Sequence, residues 1–253
     1  MKRFLLLLLI GSHTAPAQTA DSTAQVSIPP KSDFKSGMMA EIGVSVASTR
    51  IPAIRSYFRS NGIRPDSHID PFLHFGFGGR YGRFKVMLLA GRSFSFIDLP
   101  PLRDDDAGSR PVARQVRANY GGGQIGFDLA NTRNRRVYLN AGLGTIGYEY
   151  SVYRQSDEAV AFSDLPQYRP GGHIPSLILY NHFWDVNIEY SQREKRKRSV
   201  ESVLRIGYRR GLQPGTWKSD AFRLTGAPTD RISQFYIQGT YYFSSNYIKG
   251  ANR

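Results

Sequence analysis

The feature that most constrains the fold is a strict two-residue alternation within residues 71–96. In its first half, Leu73, Phe75 and Phe77 alternate with His or Gly, and the second half repeats the pattern after a turn near Gly82. Successive side chains of a strand point to opposite faces, so this pattern predicts a β-hairpin with one apolar face.

The same alternation recurs along the chain and predicts eight strands. They cover residues 37–47, 71–80, 84–96, 115–129, 137–152, 174–190, 200–209 and 232–243. Short turns alternate with four long connections, at 50–69, 99–114, 154–172 and 213–230. Short turns at one rim and long loops at the other are typical of membrane barrels. We therefore predict an all-β fold, an eight-stranded antiparallel up-and-down transmembrane β-barrel over residues 36–243.

Two strands need a change of parity to keep their apolar residues on one face. In the fourth strand, Val116 and Tyr120 precede a slip across the glycine run 121–123. In the fifth, a slip near Gly144 brings Tyr148 to the apolar face. We interpret both slips as β-bulges or close-packed bends.

The N-terminus has the pattern of a secretory signal peptide. Two basic residues precede the leucine-rich run 4–10, and Ala15 and Ala17 form a small-residue cleavage site, so we expect residues 1–17 to be removed. Residues 18–35 are polar and predict a periplasmic tail, and 244–253 form a short C-terminal tail. The chain contains no cysteine, which excludes disulfides and thiolate metal sites. The expected location is the outer membrane of a Gram-negative bacterium.

The chain is strongly basic, with a formal net charge of +14. Such a charge often indicates nucleic-acid binding, but export argues against that partner. In an exported protein the positive field attracts anions such as lipopolysaccharide phosphates and other outer-membrane lipids. The alternative is that arginines and lysines simply solvate the loops and strand ends.

The polar face of the predicted strands carries charges of both signs, which can neutralise one another inside a closed wall. The residues predicted to form this lumen network are Glu41, His74, Lys85, Arg117, Asn140, Glu149, Asp185, Glu201 and Arg205. The apolar face carries aromatic residues toward both ends of the strands, as in the girdles of membrane barrels. The predicted girdle residues are Phe84, Tyr190 and Phe243 near the short turns, and Phe94, Tyr120 and Tyr148 near the long loops.

The last predicted strand, residues 234–243, ends in Tyr241, Tyr242 and Phe243. It resembles the aromatic-terminated signal that the barrel-assembly machinery reads. Over residues 36–243 the chain resembles the small eight-stranded outer-membrane barrels, in outline the OmpA transmembrane domain and the porin-family barrels of Bacteroidota. The resemblance implies a monomer that the assembly machinery inserts. The chain departs from the family's pattern because ten residues follow the final aromatic. The resemblance does not imply cell-wall tethering.

Eight strands enclose an interior that side chains fill, so a wide pore is not expected. The predicted role is structural, or surface interaction with an unknown partner through the long loops. One alternative is a lipid A-modifying enzyme using His74 with Ser45, Ser93, Glu41 or Glu149. Another is a secreted, soluble, lipocalin-like barrel that binds an apolar ligand.

No cofactor or metal site is predicted. The acidic run 104–106 offers oxygen ligands for calcium, but we interpret it as a hydrated loop cluster balanced by Arg103 and Arg110. His182 falls on the predicted lipid face, where a polar residue is unexpected.

Overall fold

The computed structural model describes residues 36–65, 67–94, 111–130, 132, 135–153, 159–165, 167, 174–193 and 200–244. Eight antiparallel strands of this part of the chain form one closed barrel, in which the first strand pairs with both the second and the last. The barrel strands are β1 (Ser36–Arg50), β2 (Ile69–Tyr81), β3 (Phe84–Ser93), β4 (Val112–Asp128), β5 (Arg135–Tyr153), β6 (Ile174–Arg193), β7 (Val200–Gly211) and β10 (Ser233–Ser244). The predicted all-β, eight-stranded, up-and-down barrel is confirmed.

Three smaller elements lie in the long connections. Helix α1 (Pro52–Ser60) follows β1, and a 3-10 helix (Phe162–Asp164) lies between β5 and β6. The two-residue strands β8 (Gly215–Thr216) and β9 (Thr229–Asp230) pair with each other between β7 and β10. Within the described ranges, none of the helices has the length and hydropathy to cross a membrane.

The register of the strands sets the width of the barrel. A path of paired residues that leaves β1 at Ala40 passes through all the other barrel strands and returns to β1 at Arg50, ten residues further along. This stagger tilts the strands by about 40° and leaves an interior that side chains can fill.

The outward-facing side chains form an apolar belt. On β1 it extends from Met38 to Val46, which at ~3.3 Å per residue and a tilt of about 40° corresponds to roughly 20 Å of barrel height. Its most exposed large members include Met38, Val44, Phe75, Phe77, Phe84, Val86, Leu88, Ile125, Leu143, Ile188, Ile237 and Phe243. This height approaches the apolar band of about 25 Å that is typical of membrane barrels.

The belt ends at nearly the same height on neighbouring strands. The first polar outward residue of β3 is Arg92, which pairs with Asn119 on β4. At the next outward position toward the short turns, Thr145 on β5 pairs with His182 on β6. His182 therefore lies at the upper edge of the belt, which accounts for a polar residue on this face.

The two predicted parity slips are wrong. The pairing of β4 with β5 continues without a shift across the glycine run 121–123 and across Gly144. The one register shift in this pair lies at Val116, between Gln115 and Arg117.

Four predicted orientations are therefore reversed. Arg117 and Glu149, predicted in the lumen, face outward and form an ion pair of 2.8 Å, with side chains 45% and 18% exposed. Tyr120 and Tyr148, predicted in the outer girdle, point into the barrel and are buried. The physical reason is that the interior there accommodates both parts of a tyrosine. The Tyr120 ring packs against Phe72 while its hydroxyl contacts His74, and the Tyr148 ring stacks on Tyr150 while its hydroxyl donates to Asp70.

The other predicted girdle residues lie near the ends of their strands. Phe84, Tyr190 and Phe243 are exposed on the outer face at the short-turn end, and Phe94 directly follows β3 and is half-buried. Four further aromatics occupy outward positions of β6, β7 and β10 toward the long loops, namely Tyr180, Trp184, Tyr208 and Phe235.

Candidate functional site

The lumen is the candidate site that the sequence predicted, and the structure brings most of its predicted members together. Seven of the nine are buried inside the barrel: Glu41, His74, Lys85, Asn140, Asp185, Glu201 and Arg205. The other two, Arg117 and Glu149, lie on the outer face.

Glu189 is at the centre of the network. Its Oε2 atom accepts hydrogen bonds from Lys85 Nζ at 2.5 Å, from Arg205 Nη2 at 2.9 Å and from the Tyr242 hydroxyl at 2.9 Å. Asn140 Nδ2 donates to the same oxygen at 3.3 Å. Several donors around one buried carboxylate make this a charge-assisted cluster, in which each ion has a partner.

The second carboxylate of this layer, Glu41, links the cluster to the histidine. Arg205 Nη2 donates to Glu41 Oε2 at 3.1 Å, and the other carboxylate oxygen contacts His74 Nε2. His74 Nδ1 lies 2.5 Å from the Tyr120 hydroxyl. Both ring nitrogens are thus engaged, and the residue is 0% exposed.

The next layer toward the long loops is built on Arg209. Its guanidinium lies 3.8 Å from the centre of the Tyr120 ring, and its Nε atom lies 3.3 Å from Asp185 Oδ2. The Tyr236 hydroxyl donates to the same carboxylate oxygen at 2.9 Å. Arg209 Nη1 donates to Gln234 Oε1 at 3.1 Å, which extends the network upward. The cation is held by one carboxylate and by aromatic faces together.

The short-turn end of the lumen is richer in arginine. Arg80 and Arg193 each lie 3.6 Å from Glu201 Oε1, and Arg136 lies 3.9 Å from Asp128.

Counting Arg193 at the rim, the described lumen holds six cationic side chains and six carboxylates. They are Arg80, Lys85, Arg136, Arg193, Arg205 and Arg209, and Glu41, Asp70, Asp128, Asp185, Glu189 and Glu201.

At the long-loop end the interior becomes apolar. Helix α1 inserts Ile54 and Phe58, both 1% exposed, into a cluster with Trp217, Tyr150 and other barrel and loop residues. The Phe58 and Trp217 rings lie 6.2 and 5.9 Å from the ring of Tyr150. We call α1 and the β8–β9 ribbon, with this cluster, the cap.

Asp230 ties the two parts of the cap together. Its carboxylate accepts hydrogen bonds from the amides of Ala53 and Ile54, at 2.7 and 2.8 Å, in the first turn of α1. It also accepts one from Trp217 Nε1 at 2.9 Å. A carboxylate at a helix N-terminus satisfies amides that have no partner within the helix.

The sequence did not predict this cap. Trp217 and Asp230 lie in long connections, where no periodicity marks a buried residue, and α1 is too short to give a clear helical pattern. Within the described ranges, no group of three or more His, Asp or Glu residues is placed to hold a metal ion. The acidic run 104–106 lies outside the described residues.

The fold and the lumen define the class of protein. A closed eight-stranded barrel with an apolar outer belt and a filled, charged interior has the architecture of the small outer-membrane β-barrels.

No protein-family model matches the chain, and no curated protein matches it. Among solved structures it is similar to Neisserial surface protein A, with a TM-score of 0.42 and 11% identity over 81% of this chain and 96% of that one. It is also similar to Ail, the attachment invasion locus protein of Yersinia pestis, with a TM-score of 0.41 and 8% identity over 83% of this chain and 100% of that one. A third similar structure is that of the outer membrane protein AlkL, with a TM-score of 0.41 and 11% identity over 94% of this chain and 98% of that one. TM-scores and sequence identities this low give no information about function.

Proposed function

We propose that the chain is a monomeric outer-membrane barrel with a closed lumen, which stabilises the membrane and acts at the cell surface through its long-loop end. The apolar belt supports insertion in a bilayer, because roughly 20 Å of exposed apolar wall would be costly in water. Cleavage after Ala17, and insertion by the barrel-assembly machinery, belong to the same proposal.

The observation that carries this proposal is the filled lumen. Glu41, Glu189, Lys85 and Arg205 cross-link the wall from inside, and the cap covers the long-loop end of the described barrel. An ion would have to break buried, charge-assisted hydrogen bonds to pass.

Three measurements test the proposal. On a denaturing gel, the outer-membrane form is expected to run faster unboiled than boiled, because a closed barrel resists detergent. In planar bilayers, the purified protein is expected to give no conductance steps above a protein-free control. An unshifted band in the soluble fraction, or large regular steps, would overturn it. Sequencing the N-terminus of the outer-membrane form tests the cleavage site.

The soluble lipocalin-like alternative is wrong. It requires the aromatic face to be inside, whereas Phe75, Phe77 and Leu88 are 46%, 54% and 66% exposed on the outer face. In the part of the chain that the structure describes, the interior at the same height is filled by buried charged side chains such as Glu41 and Lys85 together with Met39 and Met87.

The enzymatic alternative depended on His74 with acidic and hydroxyl partners. Of these, Glu41 contacts His74, whereas Glu149 lies on the opposite face of the wall. Among the described residues His74 is fully buried, so a lipid substrate would have to displace the surrounding side chains to reach its ring. We expect His74→Ala to leave the lipid A mass spectrum of the host unchanged, and a changed acylation pattern would restore the enzymatic hypothesis.

A further inference from the structure

The outer face of β3 to β6 carries a polar row directly above the apolar belt. Arg92, Asn119, Gly147 and Tyr180 are successive register partners across four strands. At about 4.8 Å per strand, the row is about 14 Å wide. Because the strands are tilted, the row rises from the edge of the belt at Arg92 toward Tyr180, through the region where a bilayer changes from acyl chains to headgroups.

Tyr180 lies flat on this surface because Gly147 has no side chain. A Cβ atom at Gly147 would lie 2.5 Å from Tyr180 Cε1 and 3.0 Å from Asn119 Oδ1. The tyrosine is nevertheless 62% exposed, so one face of its ring packs across the glycine and the other is open. A fixed, open aromatic face flanked by an amide is suited to stacking against a sugar ring.

The bulge at Val116 adds positive charge to the same surface. Without an extra residue, Arg114 and Arg117 would point to opposite faces, because they are three positions apart. The register shift turns both outward, where Arg114 pairs with Ser151 and Arg117 forms its ion pair with Glu149. Bulges often redirect side chains in this way next to functional sites.

Below the row, the wall is unusually smooth. The outward positions directly beneath Arg92, Asn119 and Gly147 are Ala90, Gly121 and Thr145, and Gly123 follows below Gly121, whereas His182 lies beneath Tyr180 at the side of this stretch. Their small size leaves a shallow trough between larger belt residues such as Leu88 and Leu143. An acyl chain can approach the backbone closely in such a trough.

We infer that this surface binds a phosphorylated glycolipid of the outer leaflet. Its phosphate lies against Arg92 and Arg117, with Arg114 adding to the positive field, and a sugar ring stacks on Tyr180. Asn119 and Glu149 hydrogen-bond the sugar hydroxyls, and one acyl chain follows the trough. The inference rests on the proposed function, because it requires the belt to be in a membrane.

Native mass spectrometry of the detergent-solubilised protein tests the inference. The probes are diphosphoryl lipid A, its fully dephosphorylated form, and phosphatidylglycerol. We expect diphosphoryl lipid A to bind at least tenfold more tightly than either of the others, since each of those lacks one of the two recognised groups. Equal binding of phosphatidylglycerol and lipid A would overturn sugar recognition.

The variants locate the site. R92Q combined with R117Q and E149Q is expected to weaken lipid A binding about tenfold or more, and E149Q is included so that no unpaired carboxylate remains. Y180A, and G147A, which displaces the ring, should weaken both lipid A forms but not phosphatidylglycerol. The matched control is R210Q, on β7 at the upper edge of the belt, with an expected change of less than twofold.

If R210Q weakens binding as much as the triple variant does, the attraction is diffuse and the site is overturned. Each variant is also run unboiled on a denaturing gel. A shifted band without lipid A binding would overturn the inference alone, whereas an unshifted wild-type band would overturn the proposed function.

Discussion

Two parts of the same strands, β4 to β6, have opposite polarity. Below the edge of the belt at His182, outward residues such as Leu143 are apolar and inward residues such as Asn140 are polar. Above that edge, inward residues such as Leu179 are apolar, and Arg117 points outward. The wall is continuous, but its surroundings change. Strand polarity therefore reports what lies on each side of the wall, and it identifies inside and outside only where the membrane is present.

The largest effect on stability is expected from removing a charged group of the polar interior that the belt surrounds. Glu189→Leu leaves Lys85 and Arg205 buried without their main carboxylate, so we expect a loss of about 3–5 kcal/mol in the free energy of unfolding. Urea unfolding in lipid vesicles, followed by the loss of the faster unboiled band, measures it. Glu189→Gln keeps an acceptor oxygen and should lose less. A loss below about 1 kcal/mol for Glu189→Leu would mean that Glu41 alone neutralises both cations.

A smaller loss of stability is expected from a substitution in the apolar cap at the long-loop end of the barrel. Phe58→Ala opens a cavity in the cap against Tyr150 and Trp217, and we expect a loss of about 3 kcal/mol. Tyr57, the preceding residue on α1, is 43% exposed, and Tyr57→Ala serves as the matched control. Equal effects of the two changes on the urea midpoint would show that α1 does not pack into the barrel.

The contrast explains how far the sequence could predict this molecule. Alternation in β1, β2, β3, β6, β7 and β10 gave the correct inward and outward residues, because the prediction there followed the alternation without a change of parity. In β4 and β5 the rule that apolar residues face outward placed Tyr120 and Tyr148 incorrectly. The rule needed parity slips that the backbone does not contain, and the real bulge at Val116 has no glycine to mark it.

The cap could not be predicted for a different reason. Its buried residues come from loops, where burial depends on contacts between distant segments. Ala53 and Asp230 are 177 positions apart, and no local pattern reports that contact. Likewise, Glu189 and Tyr242 were recognisable as strand residues, but their shared contact with Lys85 follows from the closure of the barrel.

Asp230 gives a more local test of the upper region. Asp230→Ala removes the acceptor for two α1 amides and for Trp217, so we expect a loss of about 1–2 kcal/mol. Asp230→Asn keeps one carbonyl oxygen and should lose about half as much. Hydrogen exchange at the amides of Ala53 and Ile54 should accelerate, while exchange at Glu189 should not. Uniform acceleration throughout the barrel would show that the cap and the polar interior unfold together.

The smallest effect is expected on the outer face above the belt. Arg117 and Glu149 form an ion pair as short as those in the lumen, but half of the arginine side chain is exposed. Solvent screens such a pair, and the double change R117Q/E149Q should therefore alter the free energy of unfolding by less than about 1 kcal/mol. The same urea midpoint measures it, alongside Glu189→Leu. A loss as large as that of the buried carboxylate would mean that β4 and β5 need this pair to stay in register past the bulge. A small loss would leave the pair free to bind a lipid headgroup without cost to the fold.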